Sequence, residues 1–167
     1  MKPVFVLLFG LTLGASSLKA QAAKDIEMSI EIPKPASDPA HRPYLAIWLE
    51  NAEGKSVSTI AVWYQKDTWL KDLRQWWRKA GRDNVAGIDA YSGATRKPGS
   101  YPIKWSPVDG SGKALPPGKY TLNFEAAREE AGRDHVKQVI ELGGKAQEFT
   151  IAATKEIGVI TIKVPAL

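Results

Sequence analysis

The sequence predicts an all-β fold, an antiparallel sandwich with one short amphipathic helix inserted. Two observations carry this. Short alternating or β-branched runs recur along most of the chain, separated by turn-forming residues that include 14 Gly and 11 Pro. That pattern belongs to stacked antiparallel sheets rather than to a helical or α/β protein. One segment alone departs from it, with apolar residues at helical spacing.

The candidate strands are residues 27–32, 44–50, 56–64, 101–105, 119–127, 137–142, 147–152 and 157–164. In Tyr44-Leu45-Ala46-Ile47-Trp48-Leu49 apolar residues point both ways, which predicts a central strand covered on both faces. The last run, Val159-Ile160-Thr161-Ile162-Lys163-Val164, is β-rich and suited to closing a sheet. Residues 68–80 form the exception: Trp69, Leu73 and Trp76, flanked by Leu70 and Trp77, lie opposite Lys71, Asp72, Arg74 and Arg78. Asp67 or Thr68 is placed to cap this helix and Gly81 to end it. Of the adjacent Trp76 and Trp77, only one can face the core fully. Residues 81–99, rich in Gly, Asp, Asn and Ser, read as a long exposed connection.

Between residues 106 and 119, Asp109-Gly110-Ser111-Gly112 and Pro116-Pro117-Gly118 are tight-turn signals leading into Tyr120-Thr121-Leu122-Asn123-Phe124. The placing of Trp105, Asp109, Gly112, Leu115, Pro116, Gly118 and Tyr120 resembles a hairpin in the Ig-like domain of flagellar hook-capping proteins. The resemblance implies an Ig-like sandwich and says nothing about activity.

The first residues read as an export signal. Lys2 supplies a positive start, Val4 to Leu13 an apolar core, and Ala20-Gln21-Ala22 a small-x-small cleavage signature. Residues 1–22 are thus expected to be a cleaved signal peptide and 23–167 a single sandwich domain in the periplasm. The competing reading, a membrane anchor, is disfavoured because the apolar run is too short to span a bilayer. No second long apolar run follows, so stable membrane insertion after signal removal is not expected.

The chain has 23 Lys and Arg against 18 Asp and Glu. Removing Lys2 and Lys19 with the signal leaves 21 against 18, a net +3, too mild to imply a nucleic-acid partner. With no Cys among 167 residues, disulfides, thiolate metal sites, Cys nucleophiles and c-type haem attachment are excluded. His41 and His135 are the 2 histidines; a metal site would need them to converge with carboxylates, and none is expected. A Ser92, His135 and Asp134 arrangement can be drawn, but no nucleophile-elbow motif accompanies it, so no catalytic residues are assigned. Glu125, Arg128, Glu129, Glu130 and Arg133 read as the solvated charges of a hairpin.

Several stretches together resemble the bacterial family of predicted periplasmic proteins known as domain of unknown function 2271. They are Arg42-Pro43-Tyr44 with Ala46 and Trp48, Trp63-Tyr64 with Trp69-Leu70, Leu73-Arg74 with Trp76-Trp77, and Asp89 to Arg96 with Pro98-Gly99. Gly118 to Thr121 and Glu125 to Glu129 complete the set. The resemblance implies a periplasmic protein associated with membrane redox or iron-uptake systems.

Within it, Asp89-Ala90-Tyr91-Ser92-Gly93-Ala94-Thr95 resembles the D-x-x-S-G-A-T site of FMN-binding domains in membrane redox complexes. There a flavin transferase uses FAD and Mg²⁺ to place FMN phosphate on the Thr hydroxyl. The resemblance implies covalent FMN on Thr95, with Asp89 as a recognition group and Ser92, Gly93 and Ala94 as the flanking motif. The residue types suit the chemistry: an acceptor needs a hydroxyl on an extended turn, Gly93 permits close approach, and Ala94 adds no bulk. Many such domains continue with a residue and then Thr-Ser, whereas here Arg96-Lys97-Pro98 follow. Arg96 and Lys97 are cations suited to the phosphodiester charge. The competing reading of the same residues is a Ser-Gly turn in which Asp89 bonds the local backbone.

An attached flavin ring would want an aromatic shelf, and Trp69, Trp76, Trp77, Tyr91, Tyr101 and Trp105 are the candidates, each equally readable as core. Two functions are therefore expected. One is an FMN-bearing electron carrier that works with a flavin transferase and a membrane redox protein and is not itself an enzyme. The other is a cofactor-free Ig-like binding or assembly module of the periplasm.

Overall fold

The computed structural model describes residues 24–35, 41–83, 85–129 and 132–166. The expected signal peptide, residues 1–22, lies outside them. Among the described residues nine strands form two sheets: β1 (Ile26–Ile32), β2 (Tyr44–Glu50), β3 (Ser56–Trp63), β4 (Ser92–Gly93), β5 (Gly99–Trp105), β6 (Gly118–Ala127), β7 (Arg133–Leu142), β8 (Gln147–Ile151) and β9 (Ile160–Val164). One sheet runs β5-β1-β9-β8 and the other β4-β3-β2-β6-β7. All pairs are antiparallel except β3 with β4. The all-β sandwich expected from the sequence is the fold.

The sheets face one another across an apolar core. Ile26, Ile30, Ile160 and Ile162 from one meet Leu45, Ile47, Leu49, Leu122 and Phe124 from the other. On β9 the buried Ile160, Ile162 and Val164 alternate with exposed Thr161 and Lys163, as in a half-buried strand. It does not close a sheet, however. Paired with both β1 and β8, it is internal, and β8 takes the edge.

A helical layer covers the outer face of the five-stranded sheet. Ala46, Trp48 and Val62 from the strands pack there with Leu70, Leu73, Trp76 and Ile88 in a second apolar cluster. This is why β2 is apolar on both faces: it is buried between β3 and β6 under a second layer, as a central strand should be. The expected single helix over 68–80 is three pieces, a 3₁₀ turn at Asp67–Asp72, an α-turn at Arg74–Trp76 and a π-turn at Trp77–Gly81. Leu73 interrupts them with φ −75° and ψ 67°. Leu70, Leu73 and Trp76, spaced by three, are the buried residues, the period of a 3₁₀ segment rather than an α-helix. Trp69, three residues before Asp72 in the same turn, is left 37% exposed.

Neither Asp67 nor Thr68 supplies a side-chain cap; Lys66 occupies that position. Gly81 ends the π-turn because its α-carbon lies against Trp76. A Cβ there would sit 2.6 Å from the indole Cζ3. Trp76 is buried and Trp77 half-buried, so one tryptophan of the pair faces the core as expected. The Asp109–Gly112 signal forms its turn: the Asp109 carboxylate accepts Ser111 N–H at 2.8 Å and Lys113 N–H at 3.0 Å, and the Ser111 hydroxyl holds it below the usual carboxylate range. Tyr120 Oη donates to Pro116 O at 2.9 Å, closing the second turn.

Candidate functional site

Asp89 and Ala90 end a 3₁₀ turn at Val85–Ala90, and Tyr91 N–H donates back to Ile88 O at 3.2 Å. Ser92 and Gly93 then become β4. Val62 N–H donates to Tyr91 O at 3.0 Å and Tyr64 N–H to Gly93 O at 2.9 Å, which locks the motif to the end of β3. Residues 94–98 leave this edge of the five-stranded sheet and enter β5, an edge of the other sheet. The segment therefore bridges the two sheets along one open side of the sandwich.

Thr95, the second residue of that bridge, is 6% exposed, whereas Ala94, Arg96 and Lys97 are exposed. The connection expected to be exposed throughout is not: Gly81, Ile88 and Thr95 are buried within it. Among the described residues the Asp89 carboxylate is exposed and takes no hydrogen-bond or ion-pair partner, so it makes no local turn bond.

Arg96 lies with its guanidinium carbon 5.2 Å from the Trp63 ring centroid and 5.7 Å from that of Tyr101. These two rings meet edge to face, 5.6 Å apart. Tyr101 Oη donates to Lys97 O at 2.7 Å and so pins the same segment from β5. A Cβ on Gly93 would meet Trp63 Cδ1 at 3.4 Å, an ordinary van der Waals contact, so the crossing itself does not demand glycine. The aromatics at the loop are thus Trp63 and Tyr101. Trp69, Trp76 and Trp77 belong to the helical segment on the outer face of the sheet, and Trp105 sits at the far end of β5 beside Ile26. Trp63 was not among the expected shelf residues, although its place as the last residue of an apolar strand beside the motif-bearing edge could have pointed to it.

Two of the charges read as solvated, Glu125 and Arg128, have buried side chains, whereas Glu129 and Arg133 are exposed. Glu125 is 0% exposed on the outer face of β6. Its carboxylate accepts Gln75 N–H at 3.1 and 3.0 Å, Trp76 N–H at 2.9 Å and Arg133 Nη1–H at 2.8 Å. It therefore caps the α-turn from across the layer, taking up N–H groups that a helix start leaves open. The Arg128 and Glu156 side chains, 8% and 2% exposed, pair at 2.9 Å. Glu129 stays exposed near His41, 3.7 Å away, and Glu130 lies outside the described residues.

The arrangement of Ser92, His135 and Asp134 does not assemble. Ser92, Val62, Ala46, Glu125 and His135 form one row across five strands. Four interstrand spacings place Ser92 about 19 Å from His135. His135 instead stacks on Trp48 at 5.2 Å and shares a 3.0 Å hydrogen bond with Asn123 Oδ1. Burial holds its pKa below the ordinary imidazole value, and Lys137 and Arg133 push the same way against Glu125 and Glu50. Asp134 accepts Glu156 N–H at 2.6 Å. Among the described residues no group of three or more His, Asp or Glu is placed to hold a metal ion, and no helix is long and apolar enough to cross a membrane.

The model of one family, described as "Predicted periplasmic protein (DUF2271)", matches residues 25–159. Comparison with curated proteins and with solved structures returns no match. The matched span takes in the helical layer, the Thr95 bridge and all strands but the last, so the chain belongs to this family and is a periplasmic protein.

Proposed function

We propose that this periplasmic protein carries FMN esterified to Thr95 and serves as an electron-transfer partner of a membrane redox or iron-uptake system, without catalysing a reaction itself. The observation that carries the reading is the Asp89–Thr95 motif held at a sheet edge with a cation, Arg96, directly after the acceptor. In the attachment step a flavin transferase uses FAD with Mg²⁺. Thr95 Oγ1 loses its proton and bonds the FMN phosphorus as the FAD pyrophosphate breaks and AMP leaves.

The chain's own residues supply position and charge, and the flavin supplies the redox capacity. Arg96 offsets the phosphodiester charge. Asp89, exposed and unpartnered among the described residues, is free for recognition by the transferase. Ser92 and Gly93 fix the register of the acceptor against β3, and Ala94 beside it is exposed. Trp63 and Tyr101 give the site an aromatic border.

The 6% exposure of Thr95 favours the second reading, a cofactor-free Ig-like binding or assembly module in which Thr95 helps seal the side of the sandwich. Intact mass of protein exported together with a flavin transferase separates the two. The carrier reading expects one FMN-sized increment that Thr95→Ala abolishes and Thr95→Ser retains. Unmodified wild-type protein, under conditions in which an authentic FMN-binding domain is modified, removes it.

A further inference from the structure

Arg96 is an exposed residue, yet its guanidinium lies back against the sandwich rather than in solvent. It folds across Gly93, with Nη2 3.9 Å from where a Cβ on that glycine would stand, and covers Trp63 at 5.2 Å and Tyr101 at 5.7 Å. Among the described residues no carboxylate pairs with it. Beneath this cover Trp63 is 7% exposed and Tyr101 half-buried, on the side of the sandwich where β4 and β5 are the edge strands.

Thr95 is 6% exposed, so a phosphodiester on its hydroxyl requires residues 94–98 to move outward. Arg96, the next residue, moves with them and uncovers the two rings. Gly93 pairs with Trp63 and Thr95 is two residues further on, so at most about 7 Å of chain separates the acceptor from the strand that carries the indole. A ribityl phosphate spans that distance.

We propose that the Trp63–Tyr101 pair is the seat of a flavin ring and that Arg96 is its cover. In the flavin-bearing protein the isoalloxazine replaces the guanidinium on the rings, and Arg96 turns to the phosphodiester; this second half rests on attachment of FMN to Thr95. Both groups are planar and delocalised, so a surface that stacks one suits the other. A guanidinium over a ring at an exposed site is a weak contact, whereas its hydrogen bond to a phosphate is charge-assisted. The exchange also keeps the rings covered in both states and leaves no apolar patch to solvent.

Riboflavin is the first probe, because it lacks the phosphate, is uncharged, and needs neither a transferase nor Thr95. Titrated into unmodified protein, it is expected to lose its fluorescence saturably with Arg96→Ala and to bind that variant about tenfold more tightly than the wild type. Arg96→Ala/Tyr101→Leu, checked for folding by circular dichroism, should lose the gain. No saturable quenching with Arg96→Ala, or equal affinities for variant and wild type, overturns the seat even if Thr95 carries FMN. In protein shown by intact mass to carry FMN, emission well below that of free FMN is expected. It should recover in Trp63→Phe/Tyr101→Phe, whose rings keep the surface but do not donate an electron to the excited flavin. Emission equal to that of free FMN overturns the seat and leaves attachment at Thr95 standing. A missing FMN increment removes the attachment, and the riboflavin titration then decides the seat by itself.

Discussion

Glu125→Gln is a severe test of how the helical layer is held, because the substitution keeps the shape of the side chain and removes only its charge and one acceptor. Both carboxylate oxygens are in use: Oε2 accepts Gln75 and Trp76 N–H, and Oε1 accepts Gln75 N–H and the Arg133 guanidinium. A glutamine turned either way sets its NH₂ against a donor. If the NH₂ replaces Oε2, Trp76 N–H loses its acceptor and Gln75 N–H keeps only Oε1; if it replaces Oε1, Arg133 loses its partner and Gln75 N–H keeps only Oε2. Hydrogen bonds to a buried charge are each worth about 1.5–3 kcal/mol, and breaking one side of a buried ion pair costs about 3–5 kcal/mol. Because Arg133 is 34% exposed and can turn to water, the lower part of that range, about 3 kcal/mol, is expected. In a domain of this size that corresponds to a fall in Tm of about 6–12 °C. Urea unfolding followed by far-UV circular dichroism measures the loss. A double-mutant cycle with Arg133→Met isolates the Arg133 share, which should be the smaller part. A loss under about 1 kcal/mol for Glu125→Gln would refute the view that this carboxylate ties the α-turn to β6.

Gly81→Ala should destabilise by about 1–3 kcal/mol in urea melts, because the new Cβ would meet the Trp76 ring at 2.6–2.9 Å and overpacking outweighs the gain in helix propensity; a stabilised variant would show that Trp76 moves freely. Stability should also fall as pH drops below about 6.5. Burial lowers the His135 pKa in the folded state, so the unfolded chain takes up the proton first; the contribution is full above the unfolded value and is lost as pH falls through the folded one. The difference in Tm between pH 7.5 and 5.5 should shrink in His135→Gln, which keeps an amide for Asn123, and equal differences in the two proteins would assign the pH dependence to other groups.

How far each feature could be read from sequence depended on whether its partners lie close along the chain. The double-sided burial of β2 was legible because Leu45, Ala46, Ile47, Trp48 and Leu49 declare it within one strand. The Asp109–Gly112 turn was legible for the same reason, since its carboxylate serves residues two and four positions on. The broken helix was not, because Trp69, Leu73 and Trp76 make an α-helical stripe over the same short span in which Leu70, Leu73 and Trp76 are spaced by three, and the sequence does not say which of Trp69 and Leu70 is buried. Glu125 was read as a surface charge because its acceptors' partners, Gln75 and Trp76, lie 50 and 49 residues away and offer backbone N–H groups, which no side-chain pattern reveals. At the candidate site the motif from Asp89 to Thr95 was legible as a motif, but the burial of Thr95 was not: nothing local indicates that residues 94–98 step from one sheet to the other.

That step between sheets also separates the accessibility of Thr95 from the stability of the whole domain. The bridge is held by a two-residue pairing at β4, one hydrogen bond from Tyr101 to Lys97, and the packing of Arg96 on two rings. Apart from Trp63 and Tyr101, none of these contacts belongs to the inter-sheet core from Ile26 to Val164, and the prediction is that they part while that core stays closed. On that prediction, exposure of the Thr95 hydroxyl is a local opening from the low end of the range of opening energies, and hydrogen exchange at residues 94–98 should be faster than in β2 and β6. Substitutions along the bridge would tune how often Thr95 is presented without altering how firmly the sandwich is folded.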